Sequence, residues 1–172
     1  GVPGSVMNLV VGTNDEVWIT SQVNLGHQVL TQWNGINSIT YDTSTFGGNI
    51  TGCWTDNSDS VYVVSKDNIW KFNGYTWNHL IDSLPNTIAF DYIVSLTFDH
   101  DNNLWVLGNY NYSSGNEYGI YKFINSELQL YSLTNHNLGA VYTIKTDLLD
   151  IPWVQSSEGI TQAIPDTVVW LN

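Results

Sequence analysis

An all-β fold of about four four-stranded antiparallel units is predicted for this chain of 172 residues, and three observations predict it. A fifteen-residue segment recurs four times along the chain. Asn, Thr, Ser, Val and Ile dominate the composition, together with eight Trp, ten Tyr and five Phe. That is the vocabulary of strands and turns. No segment carries a convincing apolar period of 3.6 residues, so no helix is expected.

The recurring segments are VMNLVVGTNDEVWIT from Val6, ITGCWTDNSDSVYVV from Ile50, IVSLTFDHDNNLWVL from Ile93 and VYTIKTDLLDIPWVQ from Val141. In each, a first strand passes through an Asp- or Asn-rich turn into a second strand, which starts at Val17, Val61, Leu104 or Pro152. Third strands follow as VLTQWNG ending at Gly35, IWKFNG ending at Gly74, IYKFIN ending at Asn125 and ITQAI ending at Ile164. Asn34-Gly35 and Asn73-Gly74 predict tight hairpin turns whose two central residues both take positive φ. Fourth strands are SITYD from Ser38, WNHLI from Trp77, LQLYSL from Leu128 and VVWL from Val168. Four such units, at a period near 43, predict the blades of a β-propeller, a single domain over 1–172 with blades at approximately 6–47, 50–90, 93–138 and 141–172. Three arrangements stay open: a closed four-bladed ring, part of a larger propeller, or halves that pair into an eight-bladed ring. Exposed first and last strands would be edge hazards, which argues for closure or pairing.

IVSLTFDHDNNLWVLG followed by GIYKF resembles the two-component-regulator propeller repeat, with its small apolar first strand, Asp, turn, Asn-Leu-Trp and Gly-Leu-Tyr-like third strand. DNIWKFNGYTW is similar to the variant in which a Gly turn precedes Trp. The likeness is fullest in the third repeat; the second has Tyr62 in place of the Trp, and the fourth has Pro152 before it. It implies a sensor-type module outside the cytoplasm, extracellular, periplasmic or at the cell surface. Such propellers usually carry more repeats, and no kinase or transmembrane segment accompanies these four.

Charge narrows the partners. Four Lys, no Arg and sixteen acidic residues give a formal net charge of -12. Without a basic stripe or a guanidinium fork, nucleic acid and anionic membrane surfaces are expected to be poor partners. No run reaches the roughly 18 apolar residues of a membrane span, and no leader pattern opens the chain, so any signal peptide is expected to be gone already. One Cys allows no internal disulfide. Sequons at Asn49 and Asn111 are what so Asn-rich a chain gives by chance.

The repeat also sorts the two sides of each blade. First-to-second and third-to-fourth turns are short and share one side. On the other side the connections are long: SQVNLGHQ from Ser21, STFGGN from Ser44, DSLPNTIAFDY from Asp82 and GNYNYSSGNEYG from Gly108. Overlong connections are where binding residues collect. The loop from Gly108 offers Tyr110, Tyr112, Tyr118, Asn109, Asn111, Asn116 and Glu117, with His27, Phe46 and Tyr92 on the same side. Tyr and Asn together stack on and hydrogen-bond to a glycan, a peptide or a protein partner. Homo-oligomerisation or completion by missing blades is the alternative use of the chain, and a hydrolase or lyase site at a channel mouth is a weaker one.

Other constellations favour structural roles. Asp99, Asp101 and Asn103 alternate like calcium ligands, but Leu104 and Tyr110 hold the Gly and Glu positions of an EF-hand loop. Sister turns are polar with drifting carboxylate spacing, so Asx turns that bond their own backbone explain all four copies, and no metal or other cofactor is expected. Trp18, Tyr62, Trp105 and Trp153 form one second-strand column, expected to pack between blades. Cys53 shares a column with Leu9, Leu96 and Ile144 and is expected to be a core thiol. His27, His79, His100 and His136 are scattered, and no HExxH, CxxC, GxSxG or phosphate loop nominates a catalytic residue. Lys71 and Lys122 are expected on a solvated strand edge, and Lys145, on a first strand, is expected to pair with an internal Asp.

Overall fold

The computed structural model describes residues 3–12, 15–66, 68–80, 90–112, 115–124, 127–132, 140–163 and 168–170. The chain divides into two compact units, Gly1–Asp82 and Ser83–Asn172. In the first unit, β1 (Ser5–Val11), β2 (Val17–Asn24), β3 (His27–Trp33) and β4 (Ser38–Tyr41) form one antiparallel sheet in chain order. A single-turn helix, α1 (Thr43–Phe46), leads to a second sheet of β5 (Ile50–Thr55), β6 (Val61–Ser65), β7 (Asn68–Phe72) and β8 (Trp77–His79). In the second unit, β9 (Phe90–Phe98), β10 (Leu104–Tyr112), β11 (Gly115–Ile124) and β12 (Glu127–Ser132) form a third meander, and β13 (Val141–Thr146), β14 (Pro152–Ser156) and β15 (Gly159–Gln162) a fourth.

The last predicted strand lies elsewhere. β16 (Val168–Trp170) pairs antiparallel with β12, Tyr131 opposite Val168, so the third sheet has five strands and the fourth has three. An unpaired outer strand is a row of open donors and acceptors, and β12 offers such an edge to a strand following β15.

Three further expectations change. STFGGN was expected as loop, yet Asp42 caps α1 by accepting the N–H of Ser44 at 2.9 Å, and Gly47 ends it at φ 72°. One helical turn needs caps more than periodicity, so the missing period of 3.6 did not forbid it. The Asn-Gly hairpins are four-residue loops. Trp33 pairs with Ser38 and Phe72 with Trp77, and the Asn34 and Asn73 side chains accept from the two N–H groups that close each loop, at 2.8–3.1 Å. Among the four loop residues only Gly35 and Gly74 take positive φ. Finally, the long connections at Ser21 and Gly108 are mostly strand: β2 and β3 meet at Leu25-Gly26, and β10 pairs with β11 without interruption from Leu104–Phe123 to Tyr112–Gly115. Of the connection from Asp82, residues 82–89 lie among those outside the described structure, and Phe90 already belongs to β9.

Within each unit the two sheets pack face to face around one core. In the first, Trp18, Leu30 and Phe46 meet Ile50, Cys53, Val61 and Val63. In the second, Trp105, Leu107 and Ile120 meet Val141, Ile144, Val154 and Ala163. A matching polar stitch crosses both joints: Asn8 Oδ1 accepts the Cys53 N–H at 3.3 Å, and Ser95 Oγ, third in its own repeat as Asn8 is, accepts the Ile144 N–H at 3.5 Å. Trp18 also contacts Tyr41, Phe72 and Trp77 ring to ring, which fixes the packing angle in a way aliphatic side chains would not.

Candidate functional site

Each repeat offers two ends, the corner between its first two strands and the hairpin between its second and third. The corners have one backbone feature in common. The fourth residue of the corner, Asp15, Asp59, Asn102 or Asp150, takes φ of 57–61° in every copy, a left-handed conformation that Asp and Asn tolerate better than most residues. Three corners open on an Asp whose Oδ1 accepts two corner N–H groups: those of Ser58 and Ser60 on Asp56, of Asp101 and Asn103 on Asp99, and of Leu149 and Ile151 on Asp147. Oδ2 takes the second-strand aromatic, the hydroxyl of Tyr62 at 3.0 Å or the indole N–H of Trp105 at 3.2 Å or Trp153 at 2.9 Å. The Asx explanation, expected for all four corners, therefore holds in its backbone part at three of them and there extends to the aromatic column.

The third strand adds a cation to two corners. Lys122 Nζ lies 2.8 Å from Asp99 Oδ2 and 4.9 Å from the Trp105 ring centroid. Lys71 Nζ lies 3.6 Å from Asp56 Oδ2 and 5.0 Å from the Tyr62 ring. These lysines were expected on a solvated edge; the sequence signal missed was that acid, aromatic and cation recur together in one repeat. Burial pushes the Asp99 carboxyl up, but Lys122 and the hydrogen bonds from Asn103 and Trp105 outweigh it and hold the group below its ordinary range. Asp56 is lowered against burial in the same way by the Ser60 and Ser58 N–H groups, Tyr62 and Lys71. Asp99 is buried with its oxygens occupied, and the Asn103 carboxamide turns its N–H to it, which leaves the Asp99, Asp101, Asn103 trio no cation-facing oxygen set. Among the described residues no three His, Cys, Asp or Glu side chains gather as metal ligands.

The first repeat departs from this pattern. Gly12 stands where the others have Asp, the buried indole N–H of Trp18 has no acceptor among the described residues, and Gln32, in the lysine column, turns its amide to Glu16 at 2.9 Å. A cleft of about 340 Å³ opens beside it, lined by Glu16, Trp18, Ser60, Lys71 and Asn73 among others. Its charged groups are already engaged, Glu16 with Gln32 and Lys71 with Asp56.

Cys53 is a core thiol: it is buried, its Sγ lies 2.9 Å from Asn8 Oδ1, and burial pushes its pKa up to about 12. Lys145 is exposed and makes no ion pair among the described residues, so it does not take the internal Asp partner expected for it. His100 joins two corners, its backbone N–H and Nδ1 meeting Asp150 Oδ1 at 2.8 and 2.7 Å.

The sequence-predicted site residues fall into three groups. Phe46 is turned into the first core against Tyr41, Trp70 and Trp77. His27 begins β3, half-buried, in the first unit, whereas the Tyr and Asn candidates belong to the second. Those lie on the β10–β11 hairpin in a fixed register: Asn109 opposite Tyr118, Tyr110 opposite Glu117, Asn111 opposite Asn116. The side chains of Tyr110, Asn111, Tyr112, Asn116 and Glu117 are outside the described residues. On the other flank of β10, Tyr92 pairs with Asn109 and is partly exposed. Tyr118 packs its ring against the second core. Asn109, between Tyr92 and Tyr118 in the register, is 1 % exposed, and among the described residues neither its Oδ1 nor its Nδ2 has a hydrogen-bond partner. A buried carboxamide left unmet costs about 1–3 kcal/mol.

No protein-family model matches the chain, and no curated protein sequence does. Solved structures do match in shape. The extracellular domain assigned to a hybrid two-component system of B. thetaiotaomicron superposes with a TM-score of 0.68 at 16% identity, over 94% of this chain and 22% of that one. An ancestral GH74 enzyme gives 0.64 at 11% identity, over 98% and 27%. YCF48, solved bound to D1 peptide, gives 0.56 at 13% identity, over 93% and 49%. The chain thus spans between 22% and 49% of the lengths of these structures. It has a β-propeller fold of antiparallel blades, as its repeats predict.

Proposed function

We propose that this chain is a non-enzymatic recognition module of the extracellular sensor-propeller kind, which holds a peptide segment of a partner along the β10–β11 hairpin. The observation that carries the reading is Asn109: a buried carboxamide with no partner, placed on a hairpin that outruns its sisters. β10 and β11 have nine and ten residues, against five each in β6 and β7. The described pairing of β11 with β12 runs from Gly119–Ser132 to Ile124–Glu127, and strand addition beside the hairpin is the mode in which a peptide would be held. Tyr110 and Tyr112 on the same hairpin would supply stacking area, and a bound segment that reached the Asn109 amide would meet its donors and acceptor.

The peptide-bound YCF48 structure and the extracellular domains support the choice of a peptide and of an extracellular setting. A glycan is the second reading, favoured by the same Tyr and Asn set.

An immobilised random-peptide library and a glycan array, each probed with the labelled chain, test the two readings side by side. Peptide hits weakened at least about tenfold by Tyr110→Ala and Tyr112→Ala support the first. Glycan hits with the same sensitivity would replace it, and hits indifferent to both substitutions would move the site off the hairpin.

A further inference from the structure

In the second and third repeats one carboxylate oxygen gathers the second-strand aromatic donor and the third-strand ammonium. Asp56 Oδ2 takes the Tyr62 hydroxyl and faces Lys71, and Asp99 Oδ2 takes the Trp105 indole N–H and Lys122. The first repeat keeps the donor and lacks the acid. Trp18 is 0 % exposed and its indole N–H has no acceptor among the described residues. Such a donor has already lost its water, so an acceptor that reaches it is bound strongly. The cleft of about 340 Å³ is lined by Trp18 itself and by Val61, and a Cβ on Gly12 would meet both Trp18 Nε1 and Val61 Cγ2. The missing carboxylate and the cleft therefore belong to the same spot. Glu16 and Lys71 also line the cleft, and both have capacity to spare. Gln32 occupies Glu16 Oε2 and leaves Oε1 without a partner among the described residues. Lys71 Nζ, at 3.6 Å from Asp56, is beyond hydrogen-bond distance, and its side chain is 37 % exposed. All of these residues belong to the first unit.

We propose that this cleft is a second site, independent of the hairpin, which binds a small free α-amino acid. The ligand carboxylate takes the role of the absent Asp, accepting from the Trp18 indole N–H and the Lys71 ammonium, and the ligand ammonium meets Glu16. Charge selects a zwitterion over a simple acid. The chain carries -12 and Glu16 lines the cleft, so a lone anion is repelled, whereas an amino acid brings its own cation. Donor chemistry selects it over a neutral sugar, because a carboxylate accepts about twice as strongly as a hydroxyl. The volume agrees: ligand pockets run from roughly 300 to 1,000 Å³, and this one suits a ligand at the small end.

The indole N–H resonance of Trp18 in the nitrogen-15-labelled chain, assigned by its loss in Trp18→Phe, reads the site directly. The probes are glycine and each common L-amino acid in turn, with acetate, methylammonium and glucose as controls. At least one amino acid should move that resonance downfield in a saturable way, half-complete between about 10 µM and 1 mM, with acetate at least about tenfold weaker. Glu16→Gln should weaken the amino acid about tenfold and leave acetate no weaker than before. Gly12→Asp combined with Val61→Ala supplies the carboxylate from inside the chain, so the double variant should lose the response. Its free indole resonance should already lie near the position that the bound native protein reaches. No movement with any amino acid overturns the proposal. Acetate as potent as the amino acids, with no effect of Glu16→Gln, overturns it in favour of a plain anion site. A response to glucose alone overturns it in favour of a sugar.

Discussion

Asp99 accepts the indole N–H of Trp105 through Oδ2 at 3.2 Å, and the same oxygen takes Lys122 Nζ at 2.8 Å. This single carboxylate ties the corner, the aromatic column and the third strand of its blade together. Replacing it with Ala would strand a half-buried ammonium and an indole N–H, so Asp99→Ala should destabilise the second unit by about 3–5 kcal/mol. Urea unfolding followed by tryptophan fluorescence measures the loss. Because the folded carboxyl titrates below its ordinary value, its contribution is present above the unfolded pKa and disappears as pH falls through the folded one. Asp99→Asn should therefore flatten the acid limb of the stability profile, and an unchanged limb would count against this role.

At the first corner, Gly12 and Trp18 show what happens when the acid is missing. Restoring it is not free: a Cβ on Gly12 would sit 2.7 Å from Val61 Cγ2 and 3.0 Å from Trp18 Nε1. Gly12→Asp should thus lower stability by about 1–3 kcal/mol through overpacking. Combining it with Val61→Ala should recover part of that loss, since the indole N–H then gains an acceptor. A thermal-melt series of the two single variants and the double variant reads the coupling.

His100 and Asp150 give a titration with a definite sign. The hydrogen bond that His100 donates to Asp150 raises the pKa of His100 above its ordinary 6.5, and His100 lowers that of Asp150. The pair's support is full below the unfolded His pKa, as long as Asp150 stays ionised, and fades as pH rises through the raised value. Proton NMR of the His100 ring should give a pKa above 6.5 that Asp150→Asn returns toward it; no difference between the two proteins would dissolve the pair.

Cys53 should be silent. With its pKa near 12 and its side chain buried, the thiol should resist a disulfide reagent at pH 8 until the chain unfolds. Fast labelling of the native protein would show that the first core opens.

Asn109 should behave as a residue held for binding at a cost to folding. Asn109→Leu removes the unmet amide, so it should leave stability unchanged or raise it by about 1 kcal/mol, while weakening capture of whichever peptide the library selects. A loss of stability would mean that the amide is satisfied in the native protein.

Much of the fold was legible because the repeat could be read four times. The corners, the aromatic column and the buried thiol all follow from aligning Val6, Ile50, Ile93 and Val141. Departures came where one position has two physical solutions. Asn34 and Asn73 spend their side chains on loop N–H groups in place of a strained backbone, and Asp42 and Gly47 cap a turn too short to show a period. The stretch from Gly108 has the composition of a loop, but cross-strand pairing overrides composition, and it became a ribbon. β16 chose its edge by pairing, which no local pattern encodes.

The central claim is that recognition belongs to the hairpin and that the corners are structural. Backbone amide NMR shifts of the labelled chain, titrated with a library-selected peptide, test it most directly. The account predicts perturbations concentrated at Phe90–Tyr92, Asn109–Tyr112 and Gly115–Tyr118, with the corners at Asp56–Ser60 and Asp99–Asn103 unmoved. Perturbations centred on those corners, or on the cleft beside Trp18 and Lys71, would contradict it.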